Sequence, residues 1–158
     1  MRRKEREVTD QKKLLEIIEA CHCCRVGFAC EGQVYIVPVN FGYVCEDGKY
    51  TLYFHGAGEG RKMELVRENP VAGFEMDTGY ELKTAASACG YSAYFQSITG
   101  QGRVSIVNDM EEKRKGLCAV MKHETGKADW EFQEKMLDVV CVWKLEVSGL
   151  TGRTGIRY

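Results

Sequence analysis

Two strand-like runs, 33–44 and the alternating 50–55, are separated by little more than Glu46-Asp47-Gly48-Lys49. A gap that short, with aspartate and glycine in it, closes only a hairpin, so the two runs lie antiparallel in one sheet. The same punctuation recurs along the chain. Residues 24–30 meet the first run across Glu31-Gly32, and residues 71–77 begin after Asn69-Pro70. Residues 91–107 form one long alternating stretch broken by Gly100 and Gly102, where a bulge or bend is expected, and residues 139–147 read as the last strand. Helical periodicity is confined to short pieces. Thr9-Asp10 can cap a helix carrying Leu14, Leu15, Ile17, Ile18 and Cys21; residues 61–69 follow a glycine cluster and are stopped by Pro70; residues 109–122 and 128–136, the latter with Trp130, precede the last strand. Residues 81–90 read as a loop. Six strands in hairpin order with short flanking helices make a mainly β (α+β) fold, an antiparallel barrel occupying 1–158 as a single domain.

The most distinctive local chemistry sits where the 50–55 run ends. Tyr53-Phe54-His55 leads through Gly56-Ala57-Gly58-Glu59-Gly60 into Arg61-Lys62, the first turn of the 61–69 helix. Glycines let backbone approach a ligand closely, the free amides of a helix start favour negative charge, and Arg61 can grip phosphate oxygens in bidentate fashion while Lys62 adds a point charge. The alternative is a polar turn before a solvated helix. A doubly wound nucleotide fold would need several β-α-β units and a Gly-x-Gly-x-x-Gly turn, and the sequence offers one candidate unit with a helix too short for a usual crossover. The Walker pattern also fails, because Gly60 is followed by Arg61-Lys62-Met63 and not by Gly-Lys-Ser/Thr.

Charge fixes what kind of anion binding this is. Lys and Arg number 22 against 23 Asp and Glu, a net charge of −1 with a pI near 6.3, so no basic field exists to hold nucleic acid or an anionic membrane. Any anion is bound locally. At 158 residues and 17.9 kDa the chain is small to enclose a large cofactor alone, which makes a partner subunit an early expectation. The charged start, Met1-Arg2-Arg3-Lys4, has no apolar stretch behind it and no run approaches the length of a membrane span, so a cytoplasmic protein is expected. The eight cysteines are then expected to be reduced thiols. Cys21-His22-Cys23-Cys24 contains one C-x-x-C pair, but no second pair at comparable spacing accompanies it, and ordinary half-buried thiols are the favoured reading over a metal site.

The sequence resembles a known family. Val34-Tyr35-Ile36-Val37-Pro38-Val39-Asn40-Phe41-Gly42-Tyr43, then Leu52-Tyr53-Phe54-His55, then Gly60-Arg61-Lys62 with Leu65 and Asn69-Pro70, then Gly100-Gln101-Gly102, is similar to the pyridoxamine 5′-phosphate oxidase-like flavin-binding split barrels, and within them to the 5-nitroimidazole-resistance (Nim-type) proteins. The resemblance implies a six-stranded split β-barrel homodimer with one FMN in each of two clefts between subunits, FAD being the alternative flavin. It implies that Gly60, Arg61 and Lys62 hold the phosphate. Tyr35, Val37, Pro38, Val39 and Asn40 would run along the ring and ribityl chain, with Asn40 and the backbone around Val37 at the polar edge of the flavin. Phe54 and His55 would face the ribityl or the ring, and Gln96 and Ser97 would add further contacts. Asn40 has a second reading, as a side chain that bonds the hairpin backbone.

The implied activity is an FMN-dependent reductase acting on nitroimidazole-type or similar small acceptors, with NAD(P)H as a candidate donor. His55 is the candidate catalytic residue, since imidazole ordinarily titrates near neutral pH and can donate a proton to an oxygen leaving a reduced nitro group. The stretch after Leu150 lacks the longer tryptophan- and arginine-bearing segment of true pyridoxamine phosphate oxidases, which argues against vitamin B6 oxidation. Three alternatives stand beside this reading: a flavin-storage or redox-sensing module with little turnover, a haem-binding split barrel using His55 or His123 as axial ligand, and a metal regulator built on Cys21, Cys23 and Cys24.

Overall fold

A computed structural model of the chain describes residues 4–155. After a short 3₁₀ turn, strand β1 (Glu7–Val8) precedes helix α1 (Gln11–Ala20), and β2 (Cys24–Cys30), β3 (Gln33–Val39), β4 (Gly42–Glu46) and β5 (Lys49–Gly56) follow in succession. Helix α2 (Arg61–Glu68) leads to the long strands β6 (Val71–Lys83) and β7 (Ser92–Ile106). Helices α3 (Met110–Thr125) and α4 (Glu134–Val139) then precede β8 (Cys141–Thr154).

One connection dictates the shape. The ladder runs β3-β2-β6-β7-β8-β5-β4, so β3 and β4 are its opposite edges, yet only Asn40 and Phe41 separate them in sequence. Three Cα steps of about 3.8 Å bridge Val39 to Gly42, so the two edges approach within about 11 Å. A sheet this wide meets that condition only by rolling up. Among the described residues no ladder joins β3 to β4, and the roll is a split barrel.

The alternation read from the sequence points its apolar side into the roll. Phe28, Phe41, Leu52, Phe54, Met76, Ile98, Trp143 and Leu145 are all essentially inaccessible there, each such burial stabilising by roughly 1.5–3 kcal/mol. A second cluster, Tyr53, Val107, Leu117, Val120, Leu137 and Val142, forms where α3 lies on the outside of β5 and β8. That helix sits directly on the β4 backbone. A Cβ built on Gly42 would lie 2.1 Å from the Val120 nitrogen, so only glycine permits the approach. Helix ends follow local chemistry. The Asp10 carboxylate accepts from the Lys13 amide at 2.9 Å, the Asp109 carboxylate accepts from Glu112 at 2.8 Å, and Gly126 ends α3 with φ 74°.

Several sequence expectations are corrected. The described residues hold eight strands where six were expected, because the 33–44 run divides at Asn40–Phe41 and the two-residue β1 pairs with the end of β8. The hydrophobic alternation passes through the crossing unbroken, and Pro38, a residue confined to sheet edges, was the available sign that β3 is one. The expected loop at 81–90 begins later, since β6 continues past a bulge between Thr78 and Glu81 to Lys83. The helix expected at 128–136 lies instead at Glu134–Val139; Trp130 sits in the irregular segment before it, its indole N–H donating to the Lys127 carbonyl at 2.8 Å. The bulge near Gly100 and Gly102 is present, as a register shift between Gln101 and Gly102 against β8. No helix among the described residues is long and apolar enough to cross a membrane.

Candidate functional site

Strand β5 places two neighbouring side chains on opposite sides of the sheet. Phe54 turns inward and stacks on Trp143 from β8, with ring centroids 4.1 Å apart and planes at 24°, while His55 turns outward and is exposed. The expectation that the Phe54 ring faces a cofactor is therefore corrected: period-2 alternation sends it into the core whenever His55 faces solvent. Beyond His55 the chain makes the glycine loop, which Arg67 latches from the far end of α2 by donating to the Gly58 carbonyl at 2.7 Å.

Gly60 is the pivot. Its φ of 101° is one that L side chains rarely adopt, and it precedes α2 without supplying any side-chain cap. Its carbonyl accepts from the amides of Met63 at 2.9 Å and Glu64 at 3.2 Å. The amides of Arg61 and Lys62 precede the first intrahelical bond and face outward at the positive end of the helix. Apart from its chain neighbours, no atom lies within 4 Å of where a Gly60 Cβ would be, so the loop is open on that side.

The two cations reach different neighbours. The Lys62 ammonium folds back toward Gly56, 3.2 Å from the position of a Cβ there. Arg61 Nη1 lies 3.3 Å from Glu64 Oε2 and its Nη2 3.8 Å from Cys30 Sγ. The bond to Glu64 is the main reason its guanidinium pKa is pushed further up. Since the Arg61 and Glu64 side chains are both about half exposed, at 51% and 54%, the pair holds the guanidinium only weakly and leaves it available to a stronger anion.

The Cys30 contact brings a second wall to the site. Cys30 faces Gln33 across the β2–β3 turn, so the start of β3 lies beside Arg61. From there β3 extends over six residue steps, about 20 Å at roughly 3.4 Å per step, to Val39. Val37 and Val39 pack partly on the core, whereas Val34 (72%), Ile36 (63%) and Tyr35 (38%) are exposed along an unpaired edge. At its far end the Asn40 amide nitrogen donates to the His22 carbonyl at 3.1 Å, a backbone partner in the α1–β2 link and not in the expected hairpin. The β4–β5 ladder ends where Gly42 pairs with Tyr53, and His55, two residues further along β5, pairs with Val142 of β8.

Gln96 and Ser97 stand apart from this group within one chain. They lie on β7, three strands from β3 and hence about 14 Å away at roughly 4.8 Å per strand. Gln96 lines a separate cleft of about 450 Å³ with Gly79, Tyr94, Phe95 and Thr154. Sequence reasoning missed Cys30, Glu64 and Arg67. Glu64 and Arg67 were within reach of helical spacing from Arg61, but the contact with Cys30 exists only through the tertiary fold.

A rolled antiparallel sheet with an open seam, and a glycine-led cationic helix start beside it, defines a split-barrel protein. The profile of the pyridoxamine 5′-phosphate oxidase family matches residues 10–154, and the chain belongs to that family. Among solved structures it is similar to a protein from Bacteroides thetaiotaomicron VPI-5482 named for 5-nitroimidazole antibiotic resistance, at 34% identity over 94% of this chain and 86% of that one, with a TM-score of 0.79. Two more distant structures share the fold. The FAD and heme binding protein of Mycobacterium smegmatis is 17% identical over 97% of this chain and 75% of that chain, with a TM-score of 0.84. A FAD-binding protein of Mesorhizobium loti is 19% identical over 96% and 98% respectively, with a TM-score of 0.64. No curated protein matches the chain.

Proposed function

We propose that this protein binds FMN in the seam of its split barrel and serves as an FMN-dependent oxidoreductase for small acceptors of the nitroimidazole type. The observation that carries the proposal is the start of α2, where Gly60 at φ 101° precedes two adjacent cations, Lys62 turned toward the Gly56 end of the glycine loop and Arg61 toward Cys30. That donor set fits a phosphate monoester: the backbone N–H groups and the guanidinium fork meet its oxygens, and Lys62 supplies the remaining charge. The exposed edge of β3, from Tyr35 to Asn40, has the length and the apolar character to support a planar ring extended from that phosphate, with Asn40 at the distal end.

Bound flavin supplies hydride and one-electron chemistry. The residues around it bind, orient and handle protons. His55, exposed at the end of β5 just before the glycine loop, would hold a proton for an acceptor oxygen. Phe54 keeps that strand end rigid from inside the core.

One chain leaves the β3 side of this site an uncovered sheet edge. Val34 and Ile36 on β3, together with Tyr80 (71%), Leu82 (52%) and Tyr91 (49%) on and after the β6–β7 arm, present more apolar surface than an isolated subunit needs. A homodimer with the flavin at the subunit interface covers it, and places the Gln96–Ser97 region of one chain against the cofactor of the other. FAD is a second reading, favoured by the two FAD-binding proteins that share the fold.

The test is the visible spectrum of the purified protein, with identification of the released cofactor and measurement of the mass in solution. Flavin bands with about one FMN per chain in a dimer support the proposal. A Soret band, or a colourless protein that does not take up FMN, overturns it; released FAD leaves the flavin site and changes its ligand.

A further inference from the structure

The chain has three histidines, and two of them, 101 positions apart, meet. One ligating atom each from His22, His123 and Glu124 lie within 4.8 Å of one another, and His22 Nδ1 is 3.5 Å from Glu124 Oε2. We propose that these three side chains form a binding site for a divalent transition-metal ion of the zinc class, separate from the flavin site.

The site is built from both sides. His123 is held in place: its Nε2 lies 2.6 Å from the Cys21 carbonyl oxygen, and its ring packs against Phe41 at 4.5 Å and edge-on to Tyr43 at 5.7 Å. A carbonyl partner on one ring nitrogen is the usual outer support of a ligating histidine, since it fixes both the tautomer and the ring plane. His22 and Glu124 are the movable members, with side chains 67% and 31% exposed. Zinc bonds of about 2.1 Å to nitrogen and oxygen put neighbouring ligand atoms about 3.4 Å apart in a tetrahedron, and small rotations of those two side chains close the present spacing to that value. Two imidazoles and one carboxylate with a fourth position open to water suit zinc and its neighbours, and do not suit calcium or magnesium, which prefer all-oxygen shells. The ion would also lie at the last turn of α3, where the helix carbonyls favour positive charge.

Bound there, the ion ties the end of α3 to the link between α1 and β2. His22 also accepts, through its carbonyl, the bond from Asn40, so the clip reaches the crossing between the two edges of the barrel. The Cys21-His22-Cys23-Cys24 motif takes on a role through its histidine and not through its thiols.

The experiment uses the purified full chain, freed of metal with a chelator and loaded with FMN, titrated with Zn²⁺ against a chromophoric competitor. One zinc per chain is expected. His22→Ala and Glu124→Gln should each weaken it by more than the roughly 10–100-fold that loss of an outer partner costs. His22 is mostly exposed, so its replacement leaves the fold intact, and a zinc-dependent rise in Tm should appear in the wild type and vanish in that variant. Cobalt(II) in the same site should show d–d bands without a thiolate-to-metal charge-transfer band. Absence of stoichiometric zinc in the wild type, unchanged affinity in both variants, or a thiolate band that disappears with Cys21→Ser or Cys23→Ser would each overturn the proposal.

Discussion

The rings of Phe54 and Trp143 stack inside the barrel, 4.1 Å between centroids, one residue away from an exposed histidine. Strand β5 is thus anchored from within at the point where His55 leaves it, and the two neighbours can be separated by mutation. Phe54→Ala should cost about 3–5 kcal/mol of stability through lost burial and the cavity left behind, whereas His55→Ala should stay within about 0.5 kcal/mol. Urea denaturation of the two variants measures both. A Phe54 variant that is as stable as wild type and has lost its flavin would return Phe54 to the cofactor wall.

Arg61 and Lys62 should act on the phosphate alone. Their substitution by alanine should each weaken FMN by roughly 1–3 kcal/mol, the range for charge-assisted hydrogen bonds, with Tm little changed because Arg61 is exposed and Lys62 only partly buried. Riboflavin, which has no phosphate, is the control. Equal losses for riboflavin and FMN in a fluorescence-quenching titration would show that these residues do not meet the phosphate.

His55 separates catalysis from attachment. If it hands a proton to the acceptor, His55→Gln keeps FMN affinity and slows acceptor reduction about 10²-fold or more. If it only fixes the ribityl chain, FMN is lost and the rate per bound flavin is retained. Reoxidation of prereduced, FMN-loaded protein by a nitroimidazole, normalised to flavin content, distinguishes the two outcomes.

The cysteines divide by burial. Burial first, then the charges of Asp77 and Glu75, pushes the Cys21 thiol from the ordinary 9.0 up to about 12, and burial pushes Cys24 up as well. Below pH 9 both states keep the proton and nothing is lost. As pH rises from 9 toward 12 the unfolded chain ionises first, so the folded state loses stability across that window. Denaturant titrations at pH 8, 9.5 and 10.5 should show the decline, with a shallower slope in Cys21→Ala. Under native conditions at pH 8, alkylation followed by mass spectrometry should find the exposed Cys89 modified and Cys21 and Cys24 intact. Alkylation of Cys24 as fast as Cys89 would contradict the burial.

Much of the sheet was legible because its signals are local. Alternation and hairpin turns placed β2, β5 and most of β6 and β7, and the glycine-led start of α2 announced itself through composition. The crossing at Asn40–Phe41 was not legible, since alternation carries on through it and only the long-range order of strands makes it a change of edge. Phe54 was assigned to the wrong side of its strand because the strand end was read as one chemical block, where the pleat separates neighbours. His22 and His123 were each visible in the sequence, but their meeting depends on α3 lying across β4, which a contact such as Gly42 against Val120 records only after folding.

The two-residue crossing also governs how the barrel can breathe. Val39 and Gly42 are tethered by covalent bonds, whereas the rest of the seam has no ladder to hold it. Any widening must therefore pivot at Asn40–Phe41 and grow with distance from it, so that the β2–β3 turn, with Cys30 beside Arg61, sweeps farthest while Asn40 stays nearly still. A ligand held at both ends would meet a fixed jaw at one and a moving jaw at the other.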